Sequence, residues 1–198
     1  MANAEKRRLI MPVAIIDPTR SRVSNSTDST TEVPMESPRV ASLVGLRVGL
    51  LENTKRNAAE ILDAVGALLE TQQGAGALVR RTKKQFAMPL PDDMLEELRR
   101  ECDVVVVGVG DCGSCSAAAV ADGIALERAG IPTAVICTEA FVATSTAMAA
   151  LKGRADYPFL VTEHPVANLA VDGIAARAGV LVSEVVSRLT GTADERAA

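Results

Sequence analysis

The chain has no tryptophan, one tyrosine and three phenylalanines among its 198 residues. Four rings leave little for nucleic-acid bases to stack on, and a formal charge of −4, from 21 basic and 25 acidic residues, gives no general attraction for a phosphate backbone. Nucleic acid is not an expected partner. Long apolar runs are missing as well: none approaches the roughly 18 to 20 residues that span a bilayer. The start, MANAEKRRLIMPVAII, carries Glu5 and a proline in its short apolar run, so it does not make a secretory core. A cytoplasmic protein with no membrane partner is the expectation. Cysteine is scarce: Cys102, Cys112, Cys115 and Cys137 are too few for a disulfide scaffold. In a reducing compartment a close cysteine pair is more often catalytic or metal-binding.

What is present is enough apolar residue, 48%, to bury one core. Residues 1 to 16 read as an N-terminal segment whose MPVAII could dock as an edge strand. Residues 17 to 44, crowded with Ser, Thr, Pro and charge, read as a linker or lid. Residues 45 to 190 read as a single α/β domain, and residues 191 to 198 as a disordered tail. Within the domain LRVGLL, ALVRRT, DVVVVGVG, IPTAVICT and YPFLVT read as strands. AAEILDAVGALLET, PDDMLEELRREC, SAAAVADGIALERAG and AFVATSTAMAALKG read as helices, and the last apolar stretch, to SRLT, as a long helix or a pair. Such alternation predicts a three-layer α/β domain, Rossmann-like or flavodoxin-like, with a mainly parallel sheet of about five strands.

In such a sheet ligands gather beyond the carboxyl ends of the strands. The segments that follow the strands are ENTKRN, DCGSC, CTEAF and TEHPVAN. They hold Asn53, Lys55, Asp111, Cys112, Gly113, Ser114, Cys115, Thr138, Glu139 and the chain's single histidine, His164. The stretch VVVVGVGDCGSCSAAA supports more than one reading. Gly108, Gly110 and Gly113 spell G-x-G-x-x-G between a strand and a helix, the setting of a dinucleotide fingerprint, with Glu139 near the end of the next strand. Against a dinucleotide-binding module stand the place of the motif midway along the chain and Asp111, whose carboxylate would repel a pyrophosphate. Cys112 and Cys115 also make half of a zinc or iron–sulfur site, but the other ligands would have to come from separate loops, Cys137 and His164. The third reading is nucleophilic. A cysteine at the first turn of a helix faces unpaired N–H groups and the positive end of the dipole, which lower its pKa. Cys115, one turn on, is placed to attack a sulfur adduct on Cys112.

The segments VGLLENTKRNA, DVVVVGVGDCGSCS, ALERAGIPTAVICTEAF and EHPVAN together resemble the UGSC family, named for a selenocysteine-Gly-Ser-Cys motif whose first position is cysteine in many members. That family is similar in turn to the selenoprotein B subunits of glycine, sarcosine and betaine reductases and of proline reductase. The resemblance implies that Cys112 is the nucleophile, Cys115 the resolving thiol or proton-bearing partner, and Asp111 the residue that precedes the pair. It matches Asn53 and Lys55 to an N-T-K segment and His164-Pro165 to a histidine–proline turn. Cysteine in place of selenocysteine implies a weaker nucleophile, and residues 21 to 42 look like a local insertion.

The expected function is a thiol-dependent enzyme acting on a small, anionic, electrophilic metabolite through a covalent S-adduct on Cys112. The outcome is reductive cleavage or a lyase or transferase reaction. Cys112, Cys115, His164 and Asp111 are the expected catalytic residues. Asn53, Lys55, Gly113, Ser114, Thr138 and Glu139 are expected to bind substrate. No metal or bound cofactor is expected, and the reductive route draws on an external thiol. A homodimer, or service as an accessory redox subunit, is the expected association.

Overall fold

A run of valines sets the frame. Val104–Gly110, VVVVGVG, is buried at all seven positions, as expected of a strand covered on both faces, where β-branched side chains pack well. The structure is a computed structural model and describes residues 36 to 191. The edge strand expected in residues 1 to 16, the linker up to residue 35 and the tail beyond residue 191 lie outside the described residues. The elements are β1 Val48–Glu52, α1 Ala58–Gln73, β2 Leu78–Thr82, α2 Asp92–Glu101, β3 Val104–Gly110, α3 Gly113–Arg128, β4 Thr133–Thr138, α4 Val142–Leu151, β5 Leu160–Thr162 and α5 Val171–Thr190. A short 3-10 turn, Glu139–Phe141, joins β4 to α4.

Every strand pairing is parallel, and the order is β2-β1-β3-β4-β5. This is the flavodoxin-like arrangement of a doubly wound sheet. Leu50, Ile61, Leu62, Val65 and Leu69 pack with Leu181, Val185 and Leu189 of α5 on one face. Leu98, Val105, Val107, Val120 and Ile124 fill the other. The closing stretch, open between one helix and two, is the single helix α5. Among the described residues no helix is long and apolar enough to cross a membrane.

One boundary shifts. Residues 36 to 44, read from composition as the end of a linker, lie on the domain. Ser37 and Leu43 are buried, and the Val40 N–H donates to the Leu189 carbonyl at 3.2 Å. Their anchor is Glu127, near the end of α3, whose carboxylate accepts from the Ser37 N–H at 2.8 Å, from Arg39 Nη2 at 2.8 Å and from Arg188 Nη2 at 3.2 Å. A polar segment is held by ion pairing with a buried acid, which composition does not reveal.

Candidate active site at the β1/β3 switch point

From β1 the chain winds outward to β2, then returns past β1 to β3 and continues the other way. The crevice of such a sheet opens where the winding reverses, beyond the carboxyl ends of β1 and β3. Two loops border it: Asn53 to Asn57 after β1, and Asp111-Cys112 between β3 and α3.

Cys112 is the N-cap of α3, in extended backbone, and its sulfur accepts the Cys115 N–H at 3.3 Å. A thiolate there meets a free helical N–H and the positive end of the dipole, the conditions that lower a thiol pKa. Cys112 is half-buried and Cys115 fully buried. The two sulfurs are joined as a disulfide, with Cα atoms 5.3 Å apart. Ser114 is exposed, its Oγ 3.6 Å from the Cys112 sulfur. A Cβ on Gly113 would meet nothing within 4 Å, so the turn beside Cys112 faces open space. Gly110 differs: a Cβ there would lie 2.7 Å from both Cys137 Sγ and Ser116 Oγ, so its glycine is required for α3 to pack against β3 and β4. One glycine of the apparent nucleotide fingerprint thus has a packing cause. Among the described residues no group of three or more His, Cys, Asp and Glu is placed to hold a metal ion.

Asp111 is buried and turned toward the loop after β5. Its carboxylate accepts from the Val166 N–H at 3.1 Å and the Ala167 N–H at 2.9 Å, and His164 Nδ1 lies 2.9 Å from Oδ1. The Thr138 hydroxyl donates to the Gly110 carbonyl at 3.1 Å and stands 3.2 Å from the same ring nitrogen. With its hydrogen committed to Gly110, Thr138 has only lone pairs to offer, and the Asp111 carboxylate likewise only accepts. Both neighbours therefore select the tautomer with the proton on Nδ1, leaving Nε2 without one. Phe141 packs its ring edge-on to the imidazole, 5.4 Å between centroids. Asp111 is thus bonded to His164 and directly precedes Cys112 in the chain.

The β1 loop is built at some cost. Thr54 and Asn57 both have left-handed backbone, φ 61° and 64°. For a β-branched threonine this is an outlier of roughly 1–3 kcal/mol, of the kind concentrated at functional sites. Asn57 is tied down by bonds from Nδ2 to the Val166 and Leu169 carbonyls at 2.9 and 3.0 Å. Between them Lys55 makes no ion pair among the described residues, and its Nζ sits 5.3 Å from the centre of the Phe86 ring.

The positions expected to bind substrate separate into two groups. Lys55, Gly113 and Ser114 border the crevice, and Glu139 is exposed at the rim. Asn53 and Thr138 are buried. The Asn53 side chain brackets Val109, donating to its carbonyl at 3.0 Å and accepting its N–H at 3.3 Å. Thr138 is committed to Gly110 and His164. These two hold the loops and the imidazole in place. Cys102 and Cys137 are buried thiols whose pKa burial pushes up to about 11. Phe141, Phe86 and the buried Lys83–Asp122 ion pair were not foreseen. A lone aspartate on an otherwise apolar helical face was the one available signal for the last of these.

Fold and site together define a doubly wound α/β protein with a cysteine pair at its switch point, backed by an aspartate–histidine pair. The UGSC family model matches residues 14–191. The chain belongs to the UGSC family. Among solved structures it is similar to a diflavin flavoprotein A3 from Nostoc sp., at 14% identity over 73% of this chain and 96% of that one, with a TM-score of 0.39. It is also similar to a putative MAR1 ribonuclease from Leishmania major, at 14% identity over 75% and 93% of the two chains, with a TM-score of 0.33. No curated protein matches the sequence.

Proposed function

We propose that the protein is a cysteine-dependent enzyme of the cytoplasm that reductively cleaves a small anionic metabolite bearing a leaving group beside a carbonyl. The observation that carries this reading is the placement of Cys112 as the cap of α3, directly after the aspartate that holds His164. The Cys112 thiolate attacks the substrate carbon, forming a C–S bond while the leaving group departs with the bonding electrons. The Cys115 thiolate then attacks the Cys112 sulfur. An S–S bond forms, the C–S bond breaks, and its electron pair passes to the carbon as an enolate; His164 Nε2, which took the Cys115 thiol proton when that thiolate formed, returns it to the enolate carbon.

Two thiols are oxidised to a disulfide and one carbon–heteroatom bond is reduced to C–H. An external dithiol restores the pair. The closeness of Cys112 and Cys115 supports this outcome over a lyase or transferase reaction, in which Cys115 would not be oxidised. Lys55 and the N–H groups at the start of α3 attract the anionic end of the substrate and the enolate oxygen.

The test is mass spectrometry of the reduced chain after incubation with an extract of small metabolites. A mass added at Cys112, trapped in Cys115→Ser and missing from Cys112→Ser, is the expected result. Full turnover by Cys112→Ser would end the reading.

A further inference from the structure

The loop that carries His164 is well tied downstream of the ring. Asp111 takes the Val166 and Ala167 N–H groups as well as the imidazole, and Asn57 holds the Val166 and Leu169 carbonyls. Upstream, the strand that leads to the ring offers less. β5, Leu160–Thr162, lies at the edge of the sheet, pairs with β4 alone, and its register ends at Thr162. An edge strand has ladder bonds on one side only, and Glu163 has left the ladder before the imidazole is reached.

Arg177 of α5 closes that gap. Its Nη1 donates to the Thr162 hydroxyl at 3.0 Å and to the Glu163 carbonyl at 2.5 Å, and its Nη2 to the Glu163 carboxylate at 2.7 Å. These bonds differ in weight. The Glu163 side chain is 79% exposed, and an ion pair to so exposed a carboxylate contributes little. Nη1 belongs to a guanidinium that is only 14% exposed, and it bonds a buried hydroxyl and the main chain. Those charge-assisted bonds fix backbone rather than a side chain free to swing. The planar fork that reaches all three acceptors is one an ammonium does not reproduce.

We propose that Arg177 is a positioning residue for His164: by holding the Glu163 carbonyl from α5 it sets the ring so that Nδ1 meets Asp111 and Nε2 stays bare. It acts through the backbone and touches no reacting atom. The link to chemistry rests on the proposed function, in which a bare Nε2 takes the Cys115 proton, but the placement of the ring does not depend on that reaction.

His164 is the chain's single histidine, so 1H–15N NMR of the reduced full-length chain reads its two ring nitrogens without ambiguity at a pH where the ring is neutral. The parent is expected to carry the proton on Nδ1. The ratio of Nδ1–H to Nε2–H should fall at least tenfold in Arg177→Met, lie between the two in Arg177→Lys, and match the parent in Glu163→Gln. A parent-like ratio in Arg177→Met overturns the inference, and if that variant does not fold, a parent-like ratio in Arg177→Lys does so. An equal fall in Glu163→Gln assigns the effect to the exposed ion pair and overturns it too. The chemistry is read separately with 5,5′-dithiobis(2-nitrobenzoate), which forms a mixed disulfide on Cys112 that Cys115 then resolves, releasing a second thionitrobenzoate. That second release should slow at least tenfold in Arg177→Met. A shifted ratio with an unchanged second release leaves Arg177 in its role and removes His164 from the proposed function instead.

Discussion

The two ends of the sheet use polar residues in opposite ways. At the amino end, Glu127 is buried and its carboxylate is filled by the Ser37 and Thr133 N–H groups and by Arg39 and Arg188. Glu36 sits against the same arginines and Arg154, whose charges hold its carboxyl below its ordinary pKa against the effect of burial. At the carboxyl end three groups are held by part of their valence only. His164 is fixed through Nδ1, Cys112 caps a helix on a half-buried side chain, and Lys55 rests on a ring without an anion. Saturated polar groups hold structure together; partly satisfied ones remain available to a ligand.

If that contrast is right, substitutions at the two ends separate activity from stability. The largest effect belongs to Cys112→Ser, which should lower turnover by a factor on the order of 10³ or more, as loss of a covalent nucleophile does. Its thermal unfolding under reducing conditions should stay near that of the parent. Asp111→Asn should cost on the order of 10²–10⁴ in turnover, because an amide presented to Nδ1 no longer enforces one tautomer. A pH–rate profile that moves in this variant distinguishes loss of the histidine's proton chemistry from simple loosening of the loop. Glu127→Gln should do the reverse: unfolding free energy falls by about 3 kcal/mol, since the neighbouring buried guanidinium groups lose their carboxylate, with little change in alkylation of Cys112. The smallest effect concerns the buried thiols. Burial raises Cys137 to about 11 in the folded chain, well above the ordinary midpoint of a thiol. Between those values the unfolded chain has lost a proton that the folded chain keeps, so stability should fall as pH rises, by about 1.4 kcal/mol per pH unit. Urea titrations of the parent and Cys137→Ala check the sign: the variant should show the weaker decline.

The parts of the molecule that sequence made readable are those whose cause is local. The valines of β3 declare a strand buried on both faces, and the D-C-G-S-C turn declares a helix start, because period and capping chemistry act within a few residues. Residues joined across the chain were opaque. Asp111 receives N–H bonds from residues 55 and 56 positions away, and nothing near it in sequence identifies those donors. Asn53 and Thr138 have the chemistry of substrate contacts, but each is committed to the backbone or to His164 by residues it meets only in the folded sheet. Lys83, in a stretch of polar and proline residues, has the composition of a surface loop, and only the packing of α3 brings Asp122 to it. The docking of residues 36 to 44 was hidden for the same reason, since its anchor is one buried acid at the far end of a helix.

The most direct test of the central claim is the pH dependence of Cys112 alkylation by iodoacetamide in the reduced full-length chain, followed site by site by mass spectrometry. The account predicts a rate already on its plateau well below pH 8.5, the ordinary midpoint of a thiol, while Cys102 and Cys137 remain unmodified. A Cys112 rate that climbs through pH 8.5 as a free thiol's does would contradict it.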